Sequence, residues 1–158
     1  RFGVALVREM NRLGMLLDLA HVSEAGFYHA LEVSSRPVAF THGNVSAVRD
    51  FPRNLTDDQL RALGRNHGVI GMSFVPDFVA EKDATLDRLL DHVDHAVKVA
   101  GTDVVAIGSD FDGGGTLLED AAAMPEVTRG LLGRGYAEPE VRKILGLNAL
   151  RVLAASIG

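Results

Sequence analysis

Polar residues that could hold a metal ion follow short apolar segments in this 158-residue chain. The segments read GMLLDLAH (14–21), PVAFTH (37–42), GVIGMSF (68–74) and VVAIGSDFDG (104–113). His21 and His42 end the first two, and Asp110 lies in the last, where its apolar part stops. Imidazole and carboxylate groups suit Zn²⁺ or a similar divalent ion, which lowers the pKa of bound water to about 7. A nearby carboxylate can then move the proton, so these residues predict a metal-centred hydrolytic site.

Stretches with helical spacing of apolar residues alternate with these segments. The predicted helices cover 2–13, 24–34, 57–66 and 85–100, and two or three more complete the chain. Apolar strands that alternate with helices indicate an α/β protein whose parallel sheet is covered on both faces. Side chains at the carboxyl ends of such strands converge, so we expect His21, His42 and Asp110 to share one edge.

Local signals place the ends of several helices. Gly14 and Gly101 stand where a helix ends and a left-handed residue is favoured. Ser23 is a candidate cap for the second helix, and Thr56 with Gln59 forms a capping box for the third.

Four strand–helix units are half of an eight-stranded (β/α) barrel. A doubly wound open sheet of four strands, which would be complete as it stands, is the alternative.

The bulk composition excludes several classes of function. The net charge of −5 and the pI near 5.6 argue against nucleic acid or an anionic membrane as a partner. The chain has no cysteine for thiolate metal sites and no apolar run of the roughly 18–20 residues that a membrane span needs.

We expect one domain over residues 1–158. Because the chain opens inside a helical pattern, we also expect it to be part of a longer polypeptide.

Other polar residues leave two interpretations open. Arg53 is either a solvated loop residue or a bidentate clamp for a substrate carboxylate, and Arg49 is a weaker candidate of the same kind. Asp18, three residues before His21, is expected to be a buried acid paired to the backbone or to a neighbouring strand. The alternative is that Asp18 supports a metal-binding histidine from the side of the ring that faces away from the metal. The glycine loop 112–115 could bind phosphate, although it contains acids and no cation.

The remaining histidines carry no expected chemistry. His92 and His95 lie on the predicted 85–100 helix away from its apolar stripe, so they are expected to be exposed. His67 precedes its strand and belongs to the opposite end of the sheet, and His29 lies in mid-helix.

Five stretches carry a resemblance to a known family. They read LLDLAHVS (16–23), VAFTHGNVSAV (38–48), PRNLTDDQL (52–60), AIGSDFDGG (106–114) and LGLNALRVL (145–153). In this order they resemble the renal (membrane) dipeptidase family of amidohydrolase-like metallo-barrels. The resemblance implies a (β/α)₈ barrel of the TIM type in which two bridged Zn²⁺ ions hydrolyse dipeptides. This chain would supply roughly strands five to eight and the C-terminal helices.

The resemblance also implies roles for individual residues. His21 and His42 match the histidines that hold the second zinc, at the ends of strands five and six. Asp110 matches the aspartate of strand eight that shuttles the proton of the bridging water, and Arg53 matches the arginine that binds the substrate's terminal carboxylate.

Part of the family's site has no counterpart in this chain. The family's His-x-Asp motif, its bridging glutamate and a further substrate-binding histidine belong to the N-terminal half of the barrel. We therefore expect the chain alone to bind metal weakly or not at all and to be inactive without that half. A homodimer is compatible with the resemblance. A phosphate-binding barrel half and a non-catalytic scaffold derived from the enzyme remain the alternatives.

Overall fold

A three-stranded parallel sheet lies at the centre of the computed structural model, which describes residues 2–113 and 115–157. The strands are β1 (Ala39–Gly43), β2 (Val69–Met72) and β3 (Val105–Ile107), in the order β1-β2-β3. The helices are α1 (Phe2–Leu13), α2 (Glu24–Val33), α3 (Asp57–Arg65), α4 (Pro76–Val79), α5 (Leu86–Ala100), α6 (Met124–Gly133), α7 (Glu138–Arg142) and α8 (Asn148–Ile157). Short 3₁₀ segments cover Thr102–Val104 and Ala121–Ala123, and a π-helical turn covers Lys143–Leu147.

The first predicted strand, at 15–20, is not a regular strand. One parallel bridge joins Asp18 to Ala39, with bonds from Leu19 N–H to the Ala39 carbonyl (2.8 Å) and from Ala39 N–H to the Leu17 carbonyl (3.0 Å). Asp18 ends the extended run because its carboxylate accepts the Ala20 N–H in a local turn. The prediction of four strands is therefore wrong by one, although the segment lies beside β1 as expected.

The strand order bears on the choice of architecture. Consecutive strands lie side by side without the reversal that defines a doubly wound sheet. Among the described residues, α3 connects β1 to β2 and α5 connects β2 to β3. The predicted alternation of strands and helices is confirmed from β1 onward.

The helix ends follow the local signals in the sequence. Gly14 and Gly101 have positive φ values of 70° and 89°. The Ser23 side chain accepts a bond from Gly26 N–H at the start of α2. Thr56 and Gln59 form the predicted capping box at the start of α3. These signals are local, which is why the sequence alone located the ends.

A bulge in β1 alters where its last side chains point. Phe40 pairs with Ile70 and Gly43 pairs with Met72, so β1 has one more residue than β2 between these pairs. The Thr41 carbonyl protrudes toward the neighbouring strands, where a Cβ on Gly71 or Gly108 would collide with it. Bulges of this kind re-aim side chains at the ends of strands, and here Thr41 and His42 are the residues affected.

The two faces of the sheet are packed differently. One face belongs to the main core, which includes Val38, Phe40, Ile70, Met72, Leu89 and Leu131. On the other face Ala39, Val69 and Ala106 pack with Val152 of α8. The Arg151 side chain donates to the carbonyls of His67 and Asp103, just before β2 and β3. Helix α8 therefore packs on this face of the sheet and bonds to the backbone at the amino ends of β2 and β3.

None of the helices within the described ranges is long and apolar enough to cross a membrane.

Candidate functional site

His21 and His42 meet at the carboxyl edge of the sheet, as the sequence predicts. Their Nε2 atoms lie 2.9 Å apart and their ring centroids 5.0 Å apart. His21 follows the bridge to β1 and has a positive φ of 67°, while His42 lies in the β1 bulge. A positive φ is uncommon for a residue other than glycine and is often found at functional sites.

The two imidazoles fit a single divalent ion. A tetrahedral zinc with bonds of about 2.0–2.1 Å holds two ligand nitrogens about 3.3 Å apart. The observed 2.9 Å is a few tenths shorter, and small rotations of the two rings would open it. The two Nε2 atoms already face each other, so these small rotations are the only change that the rings would need.

Arg53 lies against this pair. Its Nη1 contacts Nδ1 of His21 and lies 3.0 Å from Nε2 of the same ring. The guanidinium carbon lies 5.6 Å from the centre of the Phe78 ring. Its Nε and Nη2 atoms are buried without a hydrogen-bond partner in the described structure. A buried donor without a partner costs about 1–3 kcal/mol, so a ligand that accepted from these groups would recover that cost.

The cleft beside His21 and Arg53 is large enough for a small molecule. It has a volume of about 520 Å³, and its wall includes Glu24, Phe51 and Gln59. The cleft is therefore bounded by α2, by the loop after β1 and by the start of α3.

Buried polar side chains hold the loop that carries Arg53. Asn44 exchanges two hydrogen bonds with the backbone of Ser73, and Asn54 donates to the carbonyls of Arg49 and Phe78. Neither asparagine stands out in the sequence as a functional residue. An asparagine two residues after His42 was visible, but nothing local shows that it is buried.

His92 and His95 correct the expectation that both would be exposed. His92 is completely buried on α5, where Nδ1 accepts from Val45 N–H and Nε2 lies 3.0 Å from the Val79 carbonyl. Burial lowers its pKa. His95 is half-buried, and its Nε2 lies 2.7 Å from an Asp57 oxygen. Both face neighbouring loops or helices, which a single-helix projection cannot show.

His29 and His67 have no place in the site: His29 is exposed, and His67 lies at the amino end of β2.

Asp110 follows β3 with a positive φ of 60°. Its carboxylate lies over Gly113, where any Cβ would collide with it. Within the described ranges, no group of three or more His, Asp, Glu or Cys side chains is arranged to hold a metal. The role of Asp110 stays a prediction.

The proposed phosphate loop 112–115 includes Gly114, which lies outside the described residues.

Asp18 pairs with the neighbouring strand as expected, but it is exposed rather than buried. The main core lies on the opposite face of the sheet, which explains the difference.

The parallel α/β fold and the histidine pair at its carboxyl edge define the class of protein, an α/β protein with a candidate metal site. A model of the family described as "Membrane dipeptidase (Peptidase family M19)" matches residues 1–156. The chain therefore belongs to the membrane dipeptidase family.

Curated relatives agree with this assignment. The chain is 43% identical to dipeptidase tcpJ of Claviceps purpurea (strain 20.1), covering 96% of the chain and 37% of that protein. It is 39% identical to dipeptidase verJ of Clonostachys rogersoniana, covering 97% of the chain and 40% of that protein. The chain thus spans less than half the length of these relatives.

Solved structures give the same result. A metallopeptidase from Rhodobacter sphaeroides, liganded with a phosphinate mimic of the dipeptide L-Ala-D-Ala, superposes with a TM-score of 0.91 at 35% identity. The match covers 97% of this chain and 46% of that one. The metallopeptidase "dipeptidase AC" matches with a TM-score of 0.92 at 36% identity, covering 98% and 48%.

Proposed function

We propose that this chain forms the C-terminal half of a zinc-dependent dipeptidase built as a (β/α)₈ barrel. The observation that carries the proposal is the approach of His21 Nε2 to His42 Nε2, at 2.9 Å, beside the unpartnered donors of Arg53. The sequential parallel strands would correspond to the later strands of the barrel. The N-terminal half would supply the remaining metal ligands.

His21 and His42 would hold one of two zinc ions through their Nε2 atoms. Two ligands are fewer than the three that catalytic zinc sites usually take from protein, so the chain alone would bind zinc weakly. Bound zinc supplies a water of lowered pKa and polarises the peptide carbonyl.

Arg53 would bind the carboxylate at the end of the dipeptide. Its Nε and Nη2 groups form one edge of the guanidinium, the edge that makes paired bonds to a carboxylate. Both atoms are buried and unpartnered, which strengthens such bonds because little water competes for them. The guanidinium also lies over the Phe78 ring, with its central carbon 5.6 Å from the ring centre. Arg53 would thereby orient the scissile bond toward the histidine pair.

Asp110 would accept the proton of the attacking water and pass it to the leaving amine. Its place after β3, at the carboxyl end of a strand, supports this proposal, because functional groups of parallel α/β folds lie at such strand ends.

The test is dipeptide hydrolysis by the complete gene product that contains these residues. We expect turnover of dipeptides, and we expect Asp110→Asn to lower kcat by about 10²- to 10⁴-fold, the usual contribution of a positioned proton acceptor, with zinc content unchanged. Asp112→Asn, two residues away, is the matched control and should retain most of the activity. Full turnover by Asp110→Asn would remove Asp110 from the mechanism, and a wild-type protein that hydrolyses no dipeptide would refute the proposed function.

A further inference from the structure

Asp18 is connected to His42 through a single hydroxyl group. Its Oδ1 accepts the backbone N–H groups of Ala20 (2.9 Å) and Thr41 (3.1 Å), and its Oδ2 accepts the Thr41 hydroxyl (2.7 Å). The same hydroxyl oxygen lies 2.8 Å from Nδ1 of His42. Although Asp18 is exposed, both of its oxygens are thus occupied by partners within the chain.

The chemistry of the carboxylate fixes the direction of the hydrogen bonds along this chain. A carboxylate can only accept, so the Thr41 hydroxyl is donated to Asp18. The Thr41 oxygen must then accept from Nδ1 of His42, which places the proton of that ring on Nδ1. The lone pair of His42 therefore lies on Nε2, 2.9 Å from Nε2 of His21.

We propose that Asp18 and Thr41 are positioning residues for His42. They hold its proton on Nδ1, so that the lone pair of Nε2 faces His21 and is available to a metal before any metal binds. A partner on the far ring nitrogen is how proteins set the tautomer and orientation of a metal-binding histidine. The part of this inference that concerns metal rests on the proposed function, whereas the tautomer of His42 does not.

The bulge in β1 makes this arrangement possible. In a regular strand adjacent side chains point to opposite faces, so Thr41 could not reach the imidazole of His42. The additional residue between Phe40 and Gly43 breaks that alternation and brings the hydroxyl to Nδ1.

Long-range ¹H–¹⁵N NMR on the metal-free, ¹⁵N-labelled complete gene product, recorded near pH 8, reads the tautomer of His42. Wild type and Thr41→Ser should carry the His42 proton on Nδ1. In Asp18→Asn the Asn oxygen keeps the two backbone bonds, and its amide donates to the Thr41 oxygen. The Thr41 hydroxyl must then donate to Nδ1, so the His42 proton should move to Nε2. A purely structural role would not produce this reversal.

Thr41→Val retains the shape and the backbone bond to Asp18 but removes the hydroxyl, so we expect a mixture of tautomers. Asp58→Asn is the control: it removes one carboxylate charge, as Asp18→Asn does, but on the exposed side of α3. It should leave the tautomer of His42 unchanged. A wild-type His42 protonated on Nε2, or an Asp18→Asn spectrum identical to wild type, would overturn the proposal.

A Zn²⁺ titration of the same variants of the complete gene product separates this inference from the proposed function. We expect Thr41→Val to bind Zn²⁺ about 10- to 100-fold more weakly than wild type, while Thr41→Ser matches wild type. Equal affinities for Thr41→Val and wild type would overturn the positioning role in metal binding. The predicted tautomers without Zn²⁺ binding by any variant would support the hydrogen-bond chain and count against the metal site itself.

Discussion

His92 offers a quantitative test of how the Arg53 loop is held. The substitution His92→Leu keeps a side chain of similar size but removes the acceptor for Val45 N–H and the donor for the Val79 carbonyl. Each buried backbone group left without a partner costs about 1–3 kcal/mol, so the free energy of unfolding should fall by about 2–6 kcal/mol. That is a large share of the 5–15 kcal/mol that typically stabilises a domain.

The assay is urea unfolding followed by circular dichroism between pH 5 and 8. Burial lowers the pKa of folded His92, and protonation would also cost the bond that Nδ1 accepts from Val45. The unfolded chain therefore binds the proton more readily, and this contribution to stability is present above the unfolded pKa of about 6.5. It is lost as the pH falls below that value, by up to about 1.4 kcal/mol per pH unit.

Asp91 and His95, the titratable neighbours on α5, shift the pKa of His92 in opposite directions: Asp91 raises it and His95 lowers it. The difference in stability between wild type and His92→Leu should therefore shrink as the pH falls from 7 to 5. His29→Leu changes an exposed histidine on α2 and should stay within about 0.5 kcal/mol of wild type. A His92→Leu variant as stable as the control at pH 8, or a difference that grows toward low pH, would refute the reasoning.

Two further predictions concern arginines. In the complete gene product, Arg53→Ala should raise KM for dipeptides by about 10- to 100-fold, the value of a charged hydrogen-bond pair, and leave zinc content unchanged. Dipeptide amides, which lack the terminal carboxylate, should be indifferent to the change, and an equal loss on both substrates would argue against a carboxylate clamp. Arg134 bonds three acids of α5, Asp87, Asp91 and Asp94, at 2.6–2.8 Å. Because those acids are largely exposed, Arg134→Ala should cost only about 1–3 kcal/mol of stability in urea unfolding, and an unchanged midpoint would show that the cluster contributes nothing.

Much of the fold could be predicted from the sequence because its signals are local. Helix α1 begins and ends where the apolar spacing and Gly14 place it, and the capping residues of α2 and α3 are the ones expected. The segment at 15–20 failed as a strand for an equally local reason: the turn at Asp18 limits its pairing with β1 to one bridge.

The site was predictable to the extent that it depends on strand ends. His21 and His42 meet because parallel strands align their carboxyl ends, and Arg53 joins them through the loop after β1. The role of Thr41 depends on a bulge, and the burial of His92 depends on how α5 packs against two loops. Neither follows from residue spacing, because both are set by contacts between segments distant in sequence.

The zinc content of the complete gene product tests the central claim most directly. Elemental analysis should find about two zinc ions per chain in the wild type and about one in the double variant His21→Ala/His42→Ala. His29→Ala, which removes an exposed histidine elsewhere, should match the wild type. A double variant that retains the full wild-type zinc content would contradict the assignment of His21 and His42 as metal ligands.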